Sequence, residues 1–277
     1  MNFNLRETAA HHRIIVSHRG VSGGNIPGNT IPSYEIALAQ GADMIETDVS
    51  ACLDGTLVVF HPNMEMRQLG SDCSVPQMTY EEVSRLRYVN PDRAPTQFGL
   101  VKFDDLLETF KDRCYINVDK FWNNPEAIYK AIKRHNMLDQ ILVKSSLKPQ
   151  VIQVLEDLAP DIPFMPIVKN DFPEHAELFS KKINYIGVEF VFSEESAPCA
   201  QPEYIKKLQK DNILVWSNAI IYNVQKQLAA GHSDDTSFTV SYDYGWGWLA
   251  DRGYDIIQTD WPGMLIDYLK KSGKYYK

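Results

Sequence analysis

A parallel α/β barrel is the fold class that this 277-residue chain predicts. Three observations predict it. Short β-branched runs recur along the whole chain, helical stretches separate them, and several runs are apolar on both faces, as strands covered by helices are. The runs are Ile14–Ser17, Met44–Val49, Leu57–His61, Tyr115–Asp119, Ile141–Ser145, Phe164–Val168, Tyr185–Val191, Ile213–Ser217 and Asp255–Thr259. Nine is one too many for an eight-stranded barrel. Only Asp54-Gly55 and a few flanking residues separate the second run from the third, too few for a parallel crossover, whereas Asp-Gly is a strong two-residue hairpin turn. The third run is therefore an antiparallel arm on the second, and eight parallel strands remain to close as a (β/α)8 barrel.

The intervening segments carry helix signals. Thr30 precedes an apolar-periodic stretch that stops at Gly41, Thr79 with Glu82 makes a capping box, and Asn124-Pro125 places Pro at a first helical position. One stretch breaks the rhythm, from about Pro62 to Leu100, with a short helix near Thr79–Arg87 and loop-like sequence around Asn90–Gly99. It reads as a small insertion (62–100) over one end of the barrel, within a single domain spanning 1–277.

Lys and Arg number 28 against 36 Asp and Glu, a net charge of −8, which argues against nucleic acid as a partner because phosphate-backbone binding needs a basic stripe. The 15 Gly and 15 Pro are scattered, so a fibrous or low-complexity reading fails. No apolar run approaches the roughly 18 residues of a membrane span, and Met1 to His12 lacks the apolar core of a secretory signal. Cys52, Cys73, Cys114 and Cys199 show neither a CxxC pair nor zinc spacing. They read as free thiols in a reducing compartment, which leans toward a cytoplasmic location.

In such barrels chemistry collects at the C-terminal ends of the strands. Those ends carry His18-Arg19, Glu46 and Asp48, Asp119-Lys120, Lys144, Glu189, Trp216 and Asp260. Glu46 and Asp48, two apart in a strand, share one inward face. Two carboxylates there repel unless a cation lies between them, and a hard cation with oxygen ligands, Mg²⁺ or Ca²⁺, is the economical explanation; carboxylates meeting solvent or a neighbouring Arg are the plain alternative. A two-residue turn at Asp54-Gly55 pairs Asp48 with His61 and Glu46 with Asn63, which puts His61 beside the carboxylates. His18-Arg19-Gly20 closes the first strand: Arg offers a planar fork for phosphate oxygens, Gly a close backbone approach to a ligand. Two histidines at one mouth can divide acid and base roles.

His18-Arg19-Gly20, Asn29-Thr30, Glu46-Thr47-Asp48, Asp54-Gly55 and His61 together resemble, in order and spacing, the N-terminal signature of glycerophosphodiester phosphodiesterases, and Thr259-Asp260-Trp261-Pro262 resembles the family's closing strand-to-loop motif. The resemblance implies a (β/α)8 barrel with a small insertion after the second His. It implies a divalent cation held by Glu46 and Asp48 with a further carboxylate from the fourth strand, Asp119. His18 and His61 look like the acid–base pair, with His18 favoured as base, and Arg19 looks like a phosphate ligand. The implied reaction is hydrolysis of a small glycerophosphodiester to glycerol 3-phosphate and an alcohol.

The chain departs from the pattern in two places. Pro-Glu-Asn-Thr becomes Pro27-Gly28-Asn29-Thr30, removing a carboxylate near the mouth, and Glu-x-Lys on the fourth strand becomes Asp119-Lys120. Strict alternation points Lys120 away from Asp119, so only a bend at the strand end brings both to the site. Lys144 is an isolated cation that could serve as phosphate partner. Glu189 could touch the leaving alcohol or the metal shell, or serve only as a salt-bridge partner. Trp216 resembles the family's late-strand Trp, an apolar wall for the alcohol, with core packing as its alternative. Tyr242, Tyr244, Trp246 and Trp248 read either as an aromatic rim for lipid or sugar or as packing. A lysophospholipase D or sphingomyelinase D type of barrel that releases a cyclic phosphate, a metal-dependent sugar isomerase and a barrel that only binds phosphorylated ligands stay open beside the hydrolase.

Overall fold

The structure, a computed structural model, describes residues 3–222 and 227–276. In chain order its strands are β1 (Ile14–His18), β2 (Met44–Ala51), β3 (Leu57–Val59), β4 (Val101–Lys102), β5 (Tyr115–Asp119), β6 (Ile141–Ser146), β7 (Pro163–Lys169), β8 (Asn184–Tyr185), β9 (Gly187–Val191), β10 (Leu214–Asn218) and β11 (Ile256–Thr259). Eight of them, β1, β2, β5, β6, β7, β9, β10 and β11, run parallel and close on themselves, since Val16 of β1 pairs with Met44 on one flank and with Gln258 on the other. The chain is a (β/α)8 barrel, as its sequence predicts. The run Tyr185–Val191 divides at Ile186 into β8 and β9, both laid along β7.

The double-sided apolar character of the runs has a physical cause in the two shells. Ile14, Val16, Met44, Tyr115, Leu142, Met165, Leu214, Trp216 and Ile256 fill the barrel interior. Their neighbours Ile15, Ile45, Ile116, Val143, Val188, Val215 and Ile257 pack beneath the outer helices. A helix over Leu5–His11, which the sequence does not announce, plugs the lower end: its Leu5 and Ala9 join the interior cluster. Thr30 caps the helix Ile31–Ala39 through a capping box with Ser33, Thr79 forms one with Glu82, and Pro125 opens the helix Pro125–His135. No helix among the described residues is long and apolar enough to cross a membrane.

The arm on β2 differs in register from the two-residue turn. Val49 pairs with Val59 and Ala51 with Leu57, and Cys52 N–H donates to Thr56 O at 2.8 Å, leaving a three-residue loop, Leu53 to Gly55, with Gly55 in the left-handed region at φ 83°. Asp48 therefore lies opposite Phe60, whose N–H donates to its carbonyl, and not opposite His61; the pairing of Glu46 with Asn63 falls with it. The insertion explains the extra residue. Leu53 N–H donates to Met78 O, and Asp54 accepts from the N–H groups of Thr56 and Tyr80, so the turn is pinned from outside. The segment 62–100 packs Leu69, Val75, Val83, Tyr88 and Leu100 against Val58 and Phe60 of the arm, and β4 returns to pair with β3.

Candidate active site

Glu46 and Asp48 project inward from β2, and the β2–β5 register sets Asp119 beside Asp48. One carboxylate oxygen from each of the three lies within 4.8 Å of the others. Burial pushes the Glu46 carboxyl up to about 7, helped by the neighbouring Asp48 charge. Burial acts the same way on Asp119, but the charges of Lys120 and Lys144 outweigh it and the net shift is down. Asp48 is fully buried. Its Oδ2 accepts from Asn29 Nδ2 at 3.0 Å and pairs with Arg19 Nε at 2.8 Å. Its Oδ1 accepts no hydrogen bond, with Lys120 Nζ at 3.9 Å and His61 Nε2 at 4.0 Å. A buried carboxylate oxygen without a donor, facing two further carboxylates, fits a hard divalent cation with oxygen ligands.

The two histidines stand at this mouth, and both are held through Nδ1. His18 ends β1 beside Glu46 and contacts Asp260 Oδ1 at 2.9 Å. Burial works against its charged form, but the hydrogen bond to Asp260 and the charge of Glu46 outweigh it, so the net shift is upward. Asp260 is held in turn, its N–H donating to Asp234 Oδ2 at 2.8 Å. Asp234 is buried beneath Trp246 Nε1 and Thr259 Oγ1, both donating to Oδ1 at 2.7 Å. Burial, with the Asp260 charge behind it, pushes the Asp234 carboxyl up to about 7. His61 Nδ1 faces Pro62 O at 2.7 Å. A carbonyl only accepts, so Nδ1 carries the proton and Nε2 is left facing Asp48. His61 thus reaches Asp48 from beyond the end of the arm, not through strand pairing.

Backbone conformation supplies what strand alternation could not. Arg19 and Lys120 leave β1 and β5 with φ of 56° and 63°, and Asn29 has φ 60°, conformations that non-glycine residues hold only where surroundings enforce them. At Lys120 this is the bend that returns the side chain to the site: its Nζ lies 2.6 Å from Asp119 Oδ2. Gly20, at φ 75°, faces the helix Ile31–Ala39, not a ligand; a Cβ there would meet Ser33 Oγ at 2.5 Å.

These groups line one cavity of about 740 Å³, shared by His18, Arg19, Glu46, His61, Asp119, Lys120, Lys144 and Glu189. Lys144 Nζ lies 2.6 Å from Glu189 Oε2 and 3.7 Å above the Trp216 ring. Asn218 Nδ2 donates to Glu189 Oε1 at 2.6 Å, and Trp216 Nε1 donates to Asn218 Oδ1. Trp216 is fully buried within the barrel interior and does not line the cavity, because it sits one inward position below Asn218, so it is a floor and not a wall for the alcohol. Trp261 takes the wall position, half exposed beside Ile220 and Ile221. The run Tyr242 to Trp248 packs outside the cavity, with Trp246 buried on Asp234. Asp234 carries no sequence signal; Asn29 and Trp261 lie within quoted motifs but without a role that spacing could assign.

Comparison with known proteins gives what the chain is similar to. A family described as a domain of unknown function (DUF4996) matches residues 164–269. A glycerophosphodiester phosphodiesterase of Caldanaerobacter subterraneus is 30% identical over 159 residues, 54% of this chain and 64% of that one. An uncharacterized Bacillus subtilis protein, YqiK, is 26% identical over 73% of this chain and 84% of its own length. Among solved structures, a glycerophosphoryl diester phosphodiesterase from Parabacteroides distasonis superposes with a TM-score of 0.78 at 18% identity, covering 97% of this chain and 92% of that one. The chain is thus similar in sequence to glycerophosphodiester phosphodiesterases and shares the fold of their solved structures. Its match to the Caldanaerobacter enzyme spans just under two thirds of that protein's length. Another barrel of the same fold, an Oleispira antarctica phosphodiesterase solved with the product sn-glycerol-3-phosphate, has a TM-score of 0.70 at 17% identity and covers 94% of this chain and 97% of that one.

Proposed function

We propose that the protein is a single-domain, metal-dependent phosphodiesterase that hydrolyses small glycerophosphodiesters to glycerol 3-phosphate and an alcohol. The observation that carries the reading is the convergence at one cavity of two imidazoles, each with Nδ1 engaged, on a cluster of three carboxylates, two of them buried. The similarity to the Caldanaerobacter glycerophosphodiester phosphodiesterase supports the same chemistry. Glu46, Asp48 and Asp119 would hold Mg²⁺ or Ca²⁺. When bound, such an ion would neutralise the non-bridging phosphate oxygens and stabilise the negative charge that builds on the oxygens of the transition state.

The chain's own groups do the rest. Arg19, now paired to Asp48, offers its fork to a phosphate oxygen, and Lys120 turns from Asp119 to a second one; Lys144 adds positive charge from the floor. His18 removes the proton from the attacking oxygen, and the Asp260 carboxylate behind Nδ1 stabilises the imidazolium that forms. His61, held through Nδ1–H on a neutral carbonyl, gives a second proton, carried on Nε2, to the departing alkoxide. Glu189 keeps Lys144 in place, and the alcohol rests against Trp261. The substrate is a small molecule, not nucleic acid, and the reducing-compartment reading of the four free cysteines leans toward the cytoplasm.

The test is a turnover panel of glycerophosphodiesters and lysolipids with EDTA or with added Mg²⁺ or Ca²⁺. Linear glycerol 3-phosphate, released only with metal, is the expected product. A cyclic phosphate in the ³¹P spectrum would replace this reading with the lysophospholipase D type. Full turnover in EDTA would remove the metal.

A further inference from the structure

The cavity continues past the histidines. Where the loop 22–28 meets the insertion it opens into a second chamber of about 400 Å³, and the two spaces share Ser22, Gly28, Arg67 and Gln68 as walls. The charges of the second chamber are Arg67 and Arg93, and no carboxylate lines it. Neither arginine is paired to a carboxylate among the described residues: Arg93 Nη1 donates to Arg67 O at 3.2 Å and its Nη2 lies 3.8 Å from Met66 Sδ, which sets the two side by side. In a chain of net charge −8 this is a local reversal of sign beside an acidic centre.

Two further observations point to a ligand. Gln68 Oε1, at the junction of the chambers, is buried and accepts no hydrogen bond, an arrangement that costs stability unless a donor arrives. Gly28 stands where the family pattern has Glu. A Cβ there would lie 3.2 Å from Arg19 Cβ and 3.3 Å from Arg19 O, so any side chain narrows the passage and a carboxylate would oppose an anion passing through it. Asn90 Nδ2 donates to Asn25 Oδ1 at 2.8 Å and ties the loop to the insertion beside the chamber.

We propose that this chamber receives the alcohol portion of the diester and selects alcohols that carry a second anionic group and a free hydroxyl: the anion pairs with Arg67 and Arg93, and the hydroxyl donates to Gln68. The inference rests on the hydrolase reading above for the placement of the first phosphate. Charge-assisted bonds to a guanidinium fork make a preference of about tenfold or more the expected scale.

The experiment compares glycerophosphoinositol, its ring-phosphorylated form and glycerophosphocholine as substrates. Affinity for the two inositol diesters is measured in parallel by calorimetry on the His61→Ala variant, where turnover does not interfere. The ring-phosphorylated diester should have the highest kcat/KM and the lowest Kd, glycerophosphocholine the lowest kcat/KM. Arg67→Gln with Arg93→Gln should erase the preference and leave glycerophosphoinositol turnover within about twofold of wild type; Arg67→Gln alone serves if Arg93 is needed for folding, and Gly28→Glu should disfavour the anionic alcohol specifically. Equal kcat/KM and equal Kd for the two inositol diesters, or a preference untouched by the arginine variants, overturns the proposal. Tight, arginine-dependent binding of the phosphorylated diester without turnover in the wild type retires the hydrolase reading and keeps the chamber.

Discussion

On the β1–β2–β5 side of the mouth, three carboxylates crowd within 4.8 Å, Asp48 Oδ1 accepts no hydrogen bond and Glu46 is pushed up to about 7 by burial and the Asp48 charge. On the β6–β9–β10 side, Lys144 and Glu189 are buried as well, yet each is matched: the ammonium has a carboxylate and a ring face, and the carboxylate has Lys144 and Asn218. The contrast teaches how to read buried charge. A set that closes on itself belongs to the architecture, and a set left short of positive charge marks where something from outside is to sit.

The largest expected effect is on turnover at the open side. His18→Ala and His61→Ala should each lower kcat by about 10²–10⁴ while leaving the fold intact by circular dichroism; near-native turnover in either variant removes that imidazole from the reaction. On the closed side the sign of the experiment changes. Lys144→Met should cost about 3–5 kcal/mol of folding stability by stranding Glu189, and adding Glu189→Leu should restore most of it. Denaturant titration reads both, and an unaffected midpoint for Lys144→Met would erase the distinction between the two sides.

A third expectation sharpens the comparison through pH. The folded-state carboxyl of Glu46, at about 7, lies above its ordinary 4.5. The protonated form therefore supports the fold, and its contribution, on the order of 3 kcal/mol, is present below pH 4.5 and lost as pH rises through 7. Asp234 and His18, also raised, act in the same direction. Without metal the melting temperature should fall between pH 5 and 8, and Mg²⁺ or Ca²⁺ should abolish much of that fall. A flat profile in EDTA would show that the three carboxylates do not strain the fold. The smallest effect is at a distance: Asp234→Asn leaves Asp260 N–H without an acceptor and should lower kcat about tenfold with little change in KM. Steady-state kinetics in the Asp260→Ala background, where the loss should vanish, separates positioning from general destabilisation.

The barrel was legible because its signal is repetitive: Ile14 to Ser17, Ile141 to Ser145 and their counterparts are apolar on both faces for the two shells they serve. His18, Glu46, Asp48 and His61 were legible because motif order survives folding. The arm's register was not, since one residue at Leu53–Gly55 depends on a hydrogen bond to Met78 O and one from Tyr80 N–H, far along the chain. Lys120 could not be aimed from alternation because its direction comes from a single left-handed φ. Trp216 was misplaced because inward positions on one strand differ in height, and strand periodicity carries no height. Asp234 was invisible: a carboxylate that touches Trp246, Thr259 and Asp260 only after closure leaves no trace in spacing.

The helix Leu5–His11 has a consequence for traffic. With Leu5 and Ala9 wedged under a solid column of Val16, Met44, Leu142, Met165 and Trp216, the barrel has a stopped base, and whatever enters at the rim departs by the same doorway. On the proposed hydrolysis, two fragments born from one molecule must then queue to leave, and the one gripped by the cationic side chains goes last.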